Sequence, residues 1–186
     1  MVVLLLLAGA CGGRGGAATT PTGRGQVEAL IAAADAAEAR RDHDVARATY
    51  GRAVEMAVTN GDGPGEVLAR RALADTLLSW RELPAARAQL EAITTRAPDD
   101  AAAWHDLGIV AYALGDEAAA TAALTQARRL APADPRPRIA LASMKWRAGD
   151  RPGAIGEYQA LLELALPARL REKVEWALRT LGAPPP

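Results

Sequence analysis

The chain has 186 residues with 22 basic and 22 acidic side chains, so no net charge steers it toward nucleic acid or an anionic membrane surface. Half of it is hydrophobic, yet phenylalanine is absent and aromatics make up 4%, which argues against a base-stacking platform and favours close helix packing over a bulky core. Cys11 is the single cysteine, which excludes an intramolecular disulfide and a thiolate zinc cage.

Residues Val2 to Ala10 form an uncharged apolar run too short to span a bilayer. Ala8, Gly9 and Ala10 precede Cys11, and Gly12-Gly13-Arg14-Gly15-Gly16 follows it. This pattern resembles a bacterial lipoprotein signal, in which the cysteine is lipidated and becomes the mature N-terminus. The resemblance implies a signal peptide over 1–10 and lipidation at Cys11. With Gly12 rather than Asp after the cysteine, it also implies an outer-membrane lipoprotein of the bacterial envelope, facing the periplasm. A mis-set start codon is the other reading, and it makes the chain cytoplasmic. Residues 11–26 are rich in Gly, Ala and Thr, have no apolar period, and read as a flexible tether. Such a stretch has an r.m.s. span of about 20 Å and extends to roughly 45–50 Å.

A first helix pair is expected over 27–60, with Leu30, Ala33, Ala34 and Ala37 on its first helix and Ala46, Tyr50 and Ala53 on its second. Gly61-Asp62-Gly63-Pro64-Gly65-Glu66 is predicted as a loop, because Gly-Pro-Gly does not hold a helix. Segments 67–100, 101–134 and 135–168 then follow with a fixed beat. Leu73, Leu107 and Leu141 recur in step, as do Ala74, Gly108 and Ala142, and Ala86, Ala120 and Ala154. Leu90, Leu124 and Tyr158 share another slot; Pro98 and Pro132 share one that Pro167 misses by a place. Gly115-Asp116 and Gly149-Asp150 read as a helix stop followed by a helix cap. Pro84 and Pro152 fall in first turns, where a missing N–H costs little. A last helix over 169–181 puts Leu170, Val174, Ala177, Leu178 and Leu181 on one stripe, with Trp176 roughly opposite. The tail 183–186 is proline-rich.

The 34-residue beat and these slot residues resemble the tetratricopeptide repeat family. The resemblance implies an all-α, right-handed superhelical solenoid of four helix pairs plus a C-terminal capping helix. It also implies that first helices line a concave groove for a protein or peptide partner. The groove slots hold Leu68, Arg71, Asp75, Leu78 and Ser79 in the second pair, and Ala102, His105, Ile109, Tyr112 and Ala113 in the third. Arg136, Ile139, Ser143, Trp146 and Arg147 hold them in the fourth. Tyr112 or Trp146 could instead pack against the tail helix. One subfamily clamps a terminal carboxylate with Lys and Asn; here Arg71, Asp75 and Asp106 stand in those slots, and acidic groups would repel it.

No catalytic constellation accompanies the pattern. His43 lies in a polar turn between Asp42 and Asp44, and His105 is far from it in sequence. Ser79 and Ser143 sit in helix interiors without a nucleophile elbow, and Gly61-x-Gly63 follows a helix rather than a strand. Asp99-Asp100 read as helix-start residues. The expectation is a non-enzymatic, membrane-anchored adaptor without cofactor or metal, assisting assembly of a secretion, pilus or outer-membrane complex. The alternatives are a soluble cytoplasmic adaptor and an accessory subunit of a cell-wall enzyme.

Overall fold

A computed structural model describes residues 23–182, over which the chain forms nine α-helices and no strand. They are α1 (Gly23–Ala39), α2 (His43–Thr59), α3 (Gly63–Ser79), α4 (Leu83–Arg96), α5 (Ala101–Ala113), α6 (Glu117–Leu130), α7 (Pro135–Arg147), α8 (Arg151–Leu162) and α9 (Ala168–Thr180). The signal-like segment 1–10, Cys11 and the tail 183–186 lie outside the described residues, as does all of the tether up to residue 22. The last four tether residues, 23–26, are the first turn of α1. Arg24 fixes that turn with Glu28 at 3.3 Å and with Asp62 at 3.1 Å.

Each helix packs on the next in an antiparallel stack of pairs. The backbones of first helices meet between pairs, α1 with α3 and α5 with α7, whereas no two second helices approach as closely. First helices therefore follow the shorter inner arc, and the concave face is theirs. α3 and α5 do not meet in this way, so the inner wall is divided there.

Of the predicted loop, Gly61 and Asp62 form a turn, whereas Gly63–Glu66 open α3. Asp62 caps α3 by accepting from the Gly65 N–H at 2.9 Å, and Pro64 stands in the first turn, where its absent N–H would have no partner. Gly65 makes the cap possible: a Cβ there would lie 2.2 Å from the Asp62 carboxylate. The extra residues go into helix length, since α1, α2 and α3 have 17 residues each while α5 and α7 have 13. The same Asp-x-Pro-Gly spelling caps α8 through Asp150 and Gly153 at 2.9 Å. Asp100, Asp116 and Asp134 cap α5, α6 and α7.

These caps also join the pairs. Arg24 reaches the α3 cap Asp62, Arg71 the α5 cap Asp100, and Arg87 the α6 cap Asp116 at 3.1 Å. Arg47 grips Glu82 at the start of α4 through two hydrogen bonds of 2.6 and 2.8 Å. A planar fork meeting a carboxylate accounts for a chain whose only lysines are Lys145 and Lys173. Exposed links of this kind contribute little each, because solvent screens them.

One link is buried. Glu157 of α8, with 7% side-chain exposure, accepts from Arg128 at 2.7 Å, Lys145 at 3.1 Å and Arg138 at 3.4 Å. Burial pushes its pKa up, but the hydrogen bonds from Lys145 and Arg128 outweigh burial and hold it below the usual glutamate range. The Arg138 Nε beside it is buried without a hydrogen-bond partner among the described residues.

Apolar packing follows the small slots. Ala74, Ala86, Ala120, Ala142 and Ala154 are fully buried. A Cβ on Gly108 would lie 2.6 Å from Leu124 Cγ and 3.2 Å from the Ala120 carbonyl oxygen, so only hydrogen lets α5 and α6 close. In the first half, buried Tyr50 donates to Asp35 at 2.5 Å and accepts from Thr76 at 3.2 Å. Burial first, then the hydrogen bond to Asp35, pushes its phenol up to about 12. At the far end, Val174, Ala177, Leu178 and Leu181 cover Ala154, Tyr158 and Leu161, so α9 does cap the stack.

Candidate functional site

The concave wall opens into one well-formed cavity where α5 and α7 meet. It encloses about 420 Å³ and is lined by His105, Ile109 and Tyr112 of α5 and by Arg136, Ile139, Ala140, Ser143, Met144 and Arg147 of α7. The spacing of three or four residues puts each set on one helix face. Asp100 and Asp134 cap the two helices, and Gly108 lets α6 press against the back of α5, so the lining faces are held by packing.

Seven of the fifteen groove-slot residues expected from the sequence line this cavity: His105, Ile109, Tyr112, Arg136, Ile139, Ser143 and Arg147. Leu68, Ser79, Ala102 and Ala113 do not, and neither do four others. Arg71 is committed to Asp100. Leu78 is half-buried, packed between the core of the first two pairs and that of the next. Asp75 is exposed on α3, beyond the gap between α3 and α5. Loss of hydration beside the neighbouring helices raises its pKa above the ordinary range against the pull of Arg71, and the charge of nearby Asp106 adds to the rise.

Trp146 is the fourth. Its ring turns toward α8 and α9, meeting Tyr158 edge-on at 6.3 Å and lying 6.4 Å from Trp176. Tyr158 offers it a buried aromatic edge that solvent in the groove cannot match. Of the two aromatics for which self-packing was open, Tyr112 stays in the groove and Trp146 leaves it.

The cavity's polar groups are unevenly satisfied. Arg136 is held by its own cap residue, with Nε and Nη2 donating to Asp134 at 3.0 and 2.7 Å. That hydrogen bond keeps Asp134 below the usual carboxylate range. His105 Nδ1 lies 2.9 Å from Asp106 Oδ1. Arg147 has no ion-pair or hydrogen-bond partner among the described residues and is exposed.

Ala140 and Met144 were not expected in the lining, because they fall outside the groove slots carried over from the resemblance. A second arrangement had no local signal at all. His43 is the first residue of α2, and it is not simply solvated: it stacks on Trp80 at 4.4 Å and 9° between planes, with Arg47 5.2 Å from the same ring. Among the described residues no group of three or more His, Cys, Asp or Glu side chains is placed to hold a metal, and no helix is long and apolar enough to cross a membrane.

The profile of the tetratricopeptide repeat family matches residues 71–135, which covers the second half of α3 through the first residue of α7. The fold is a tetratricopeptide repeat solenoid. MamA, in one crystal structure, superposes with a TM-score of 0.66 at 18% identity, over 84% of this chain and 82% of that one. MamA 41-end from Desulfovibrio magneticus RS-1 gives 0.63 at 22% identity, over 74% and 75%. TTC0263, a thermophilic TPR protein of Thermus thermophilus, gives 0.52 at 20% identity, over 82% and 99%. At such identities the likeness establishes the repeat fold alone. No curated protein sequence matches the chain.

Proposed function

We propose that the protein is a non-catalytic, membrane-anchored adaptor whose tetratricopeptide groove holds a protein or peptide partner during assembly of an envelope complex of the secretion, pilus or outer-membrane kind. The observation that carries the binding part is the cavity between α5 and α7, where Ile109, Tyr112, Ile139 and Met144 offer apolar surface and Arg136 and Arg147 border it. Tyrosine and arginine on a concave, water-accessible wall are the residue types that dominate binding energy once a partner covers them. The anchor rests on Ala8-Gly9-Ala10-Cys11 and the glycine-rich residues behind it.

Crosslinked pull-downs from membranes, wild type against Tyr112→Ala, test the groove; loss of the captured band is the expected result, and an unchanged band contradicts it. Metabolic labelling with a palmitate analogue, wild type against Cys11→Ala, tests the anchor, and equal labelling ends that part. A soluble cytoplasmic adaptor is the second reading. Cell fractionation separates the two.

A further inference from the structure

α9 does more than close the stack, because it repeats the register of a first helix. Counted from its first residue, α5 buries positions three, seven, eight, ten and eleven: Ala103, Leu107, Gly108, Val110 and Ala111. α9 buries Val174, Ala177 and Leu178 at seven, ten and eleven, and Leu170 at three packs on the same core. Both helices run to a left-handed glycine at position fifteen, Gly115 with φ 83° and Gly182 with φ 66°. Position nine is the groove position, held by Ile109 in α5, Ser143 in α7 and Trp176 in α9. Ile109 is 43% exposed and Trp176 is 58% exposed, the largest exposure among the big apolar side chains. The Trp176 ring lies 6.4 Å from that of Trp146.

Charge on this wall is mixed. Asp75 of α3 and Asp106 of α5 are acidic, and the charge of Asp106 bears on Asp75 and on Arg136. Arg71 and Arg136 are neutralised by Asp100 and Asp134. Arg147 is left, exposed and unpartnered among the described residues, in the cavity lining. A guanidinium fork beside apolar surface selects a carboxylate, and covering it with apolar side chains strengthens that selection by removing water.

Building on the groove reading above, we propose that the concave face takes an apolar polypeptide segment carrying an acidic residue, laid across α5, α7 and α9. Apolar side chains enter the cavity, the carboxylate sits on Arg147, and a further apolar side chain covers Trp176. Asp75 and Asp106 disfavour an acidic residue beside them.

The test selects a phage-displayed random dodecapeptide library on the full chain, then measures synthetic copies of the enriched peptides against variants whose helix content matches wild type by circular dichroism. The expected peptides combine Asp or Glu with Leu, Phe or Trp. Their affinity falls tenfold or more on Arg147→Glu and threefold or more on Trp176→Ala. Changing the peptide's acid to Lys restores binding to Arg147→Glu. Peptides that bind Arg147→Glu and Trp176→Ala as tightly as wild type, yet are lost on Ile109→Asp, overturn this chemistry while leaving the groove in place. Peptides indifferent to Ile109→Asp as well overturn the groove reading too. A selection that enriches basic peptides, or none, overturns the proposal.

Discussion

From α1 to α4 the chain reverses at Arg41, Gly61 and Arg81, at even intervals and always through a left-handed residue, so the link between pairs is as tight as the link within one. From α5 to α8 the left-handed turns at Gly115 and Gly149 alternate with an extended link that passes through Ala131, φ −128°, to the cap Asp134. The first arrangement produces long helices that bury a shared apolar core around Tyr50, Leu73 and Leu77. In the second, helices are shorter, a charged hub at Glu157 bridges α6, α7 and α8, and α5 and α7 meet around an open cavity. Tight links bring α1 and α3 together along the concave wall, whereas the alternating links leave a cavity between α5 and α7.

The largest effect expected on this contrast comes from Glu157→Gln. Removing one partner of a fully buried ion pair costs about 3–5 kcal/mol. The three cations here keep 22–34% exposure, which screens them and lowers the expected loss to about 2–3 kcal/mol. Amide hydrogen exchange should accelerate in α6–α8 and stay unchanged in α1–α3. Uniform acceleration along the chain would mean that the halves are not separately supported.

Gly108→Ala comes next, at about 1–2 kcal/mol of net destabilisation in urea melts. Overpacking costs about 1–3 kcal/mol, and the better helix former returns up to about 1 kcal/mol. Gly156→Ala on α8 is the control, since nothing lies within 4 Å of its added Cβ. It should stabilise by about 0.5–1 kcal/mol.

The two halves should also fail at opposite ends of the pH scale. Glu157 has a folded pKa below its unfolded value, so its contribution is present above the ordinary glutamate range and is lost as pH falls through the lower folded value. Tyr50 is raised to about 12, so its contribution is intact below the ordinary tyrosine range and is lost as pH climbs toward that value. Acid should therefore open α6–α8 first and alkali α1–α3 first, as read by residue-resolved exchange or NMR. The reverse order would contradict the assignment. The smallest expected effect is Arg41→Gly, a gain of about 0.5–1 kcal/mol from relieving a left-handed non-glycine residue with φ 61°.

The second half was legible in advance because period and punctuation agree there. Leu107 and Leu141 mark the core, Gly115 and Gly149 the turns, and Asp116 and Asp150 the caps, each one period apart. Residues 63–66 are helical rather than loop because Gly-Pro-Gly breaks a helix interior but suits a first turn, and the aspartate that makes it a first turn has no periodic support in the sequence. Trp146 was misplaced because a groove slot specifies where the Cβ starts, while the ring's direction depends on Tyr158 and Trp176. The stack of His43 on Trp80 joins residues from different pairs and leaves no local trace. The arginine links were half-visible: Arg71 with Asp100, Arg87 with Asp116 and Arg128 with Glu157 share one separation of 29 residues, which has meaning only once the pairs are stacked.

The central claim is that the concave face between α5 and α7 receives another polypeptide. Photo-crosslinking in producing cells tests it most directly, with p-benzoylphenylalanine placed at Ile109 in the groove or at Val58 on α2, both exposed apolar positions. The account predicts a discrete adduct at position 109 that is absent at 58 and disappears when Tyr112 is changed to Glu. Matching adducts at both positions, or an adduct at 58 alone, would contradict it.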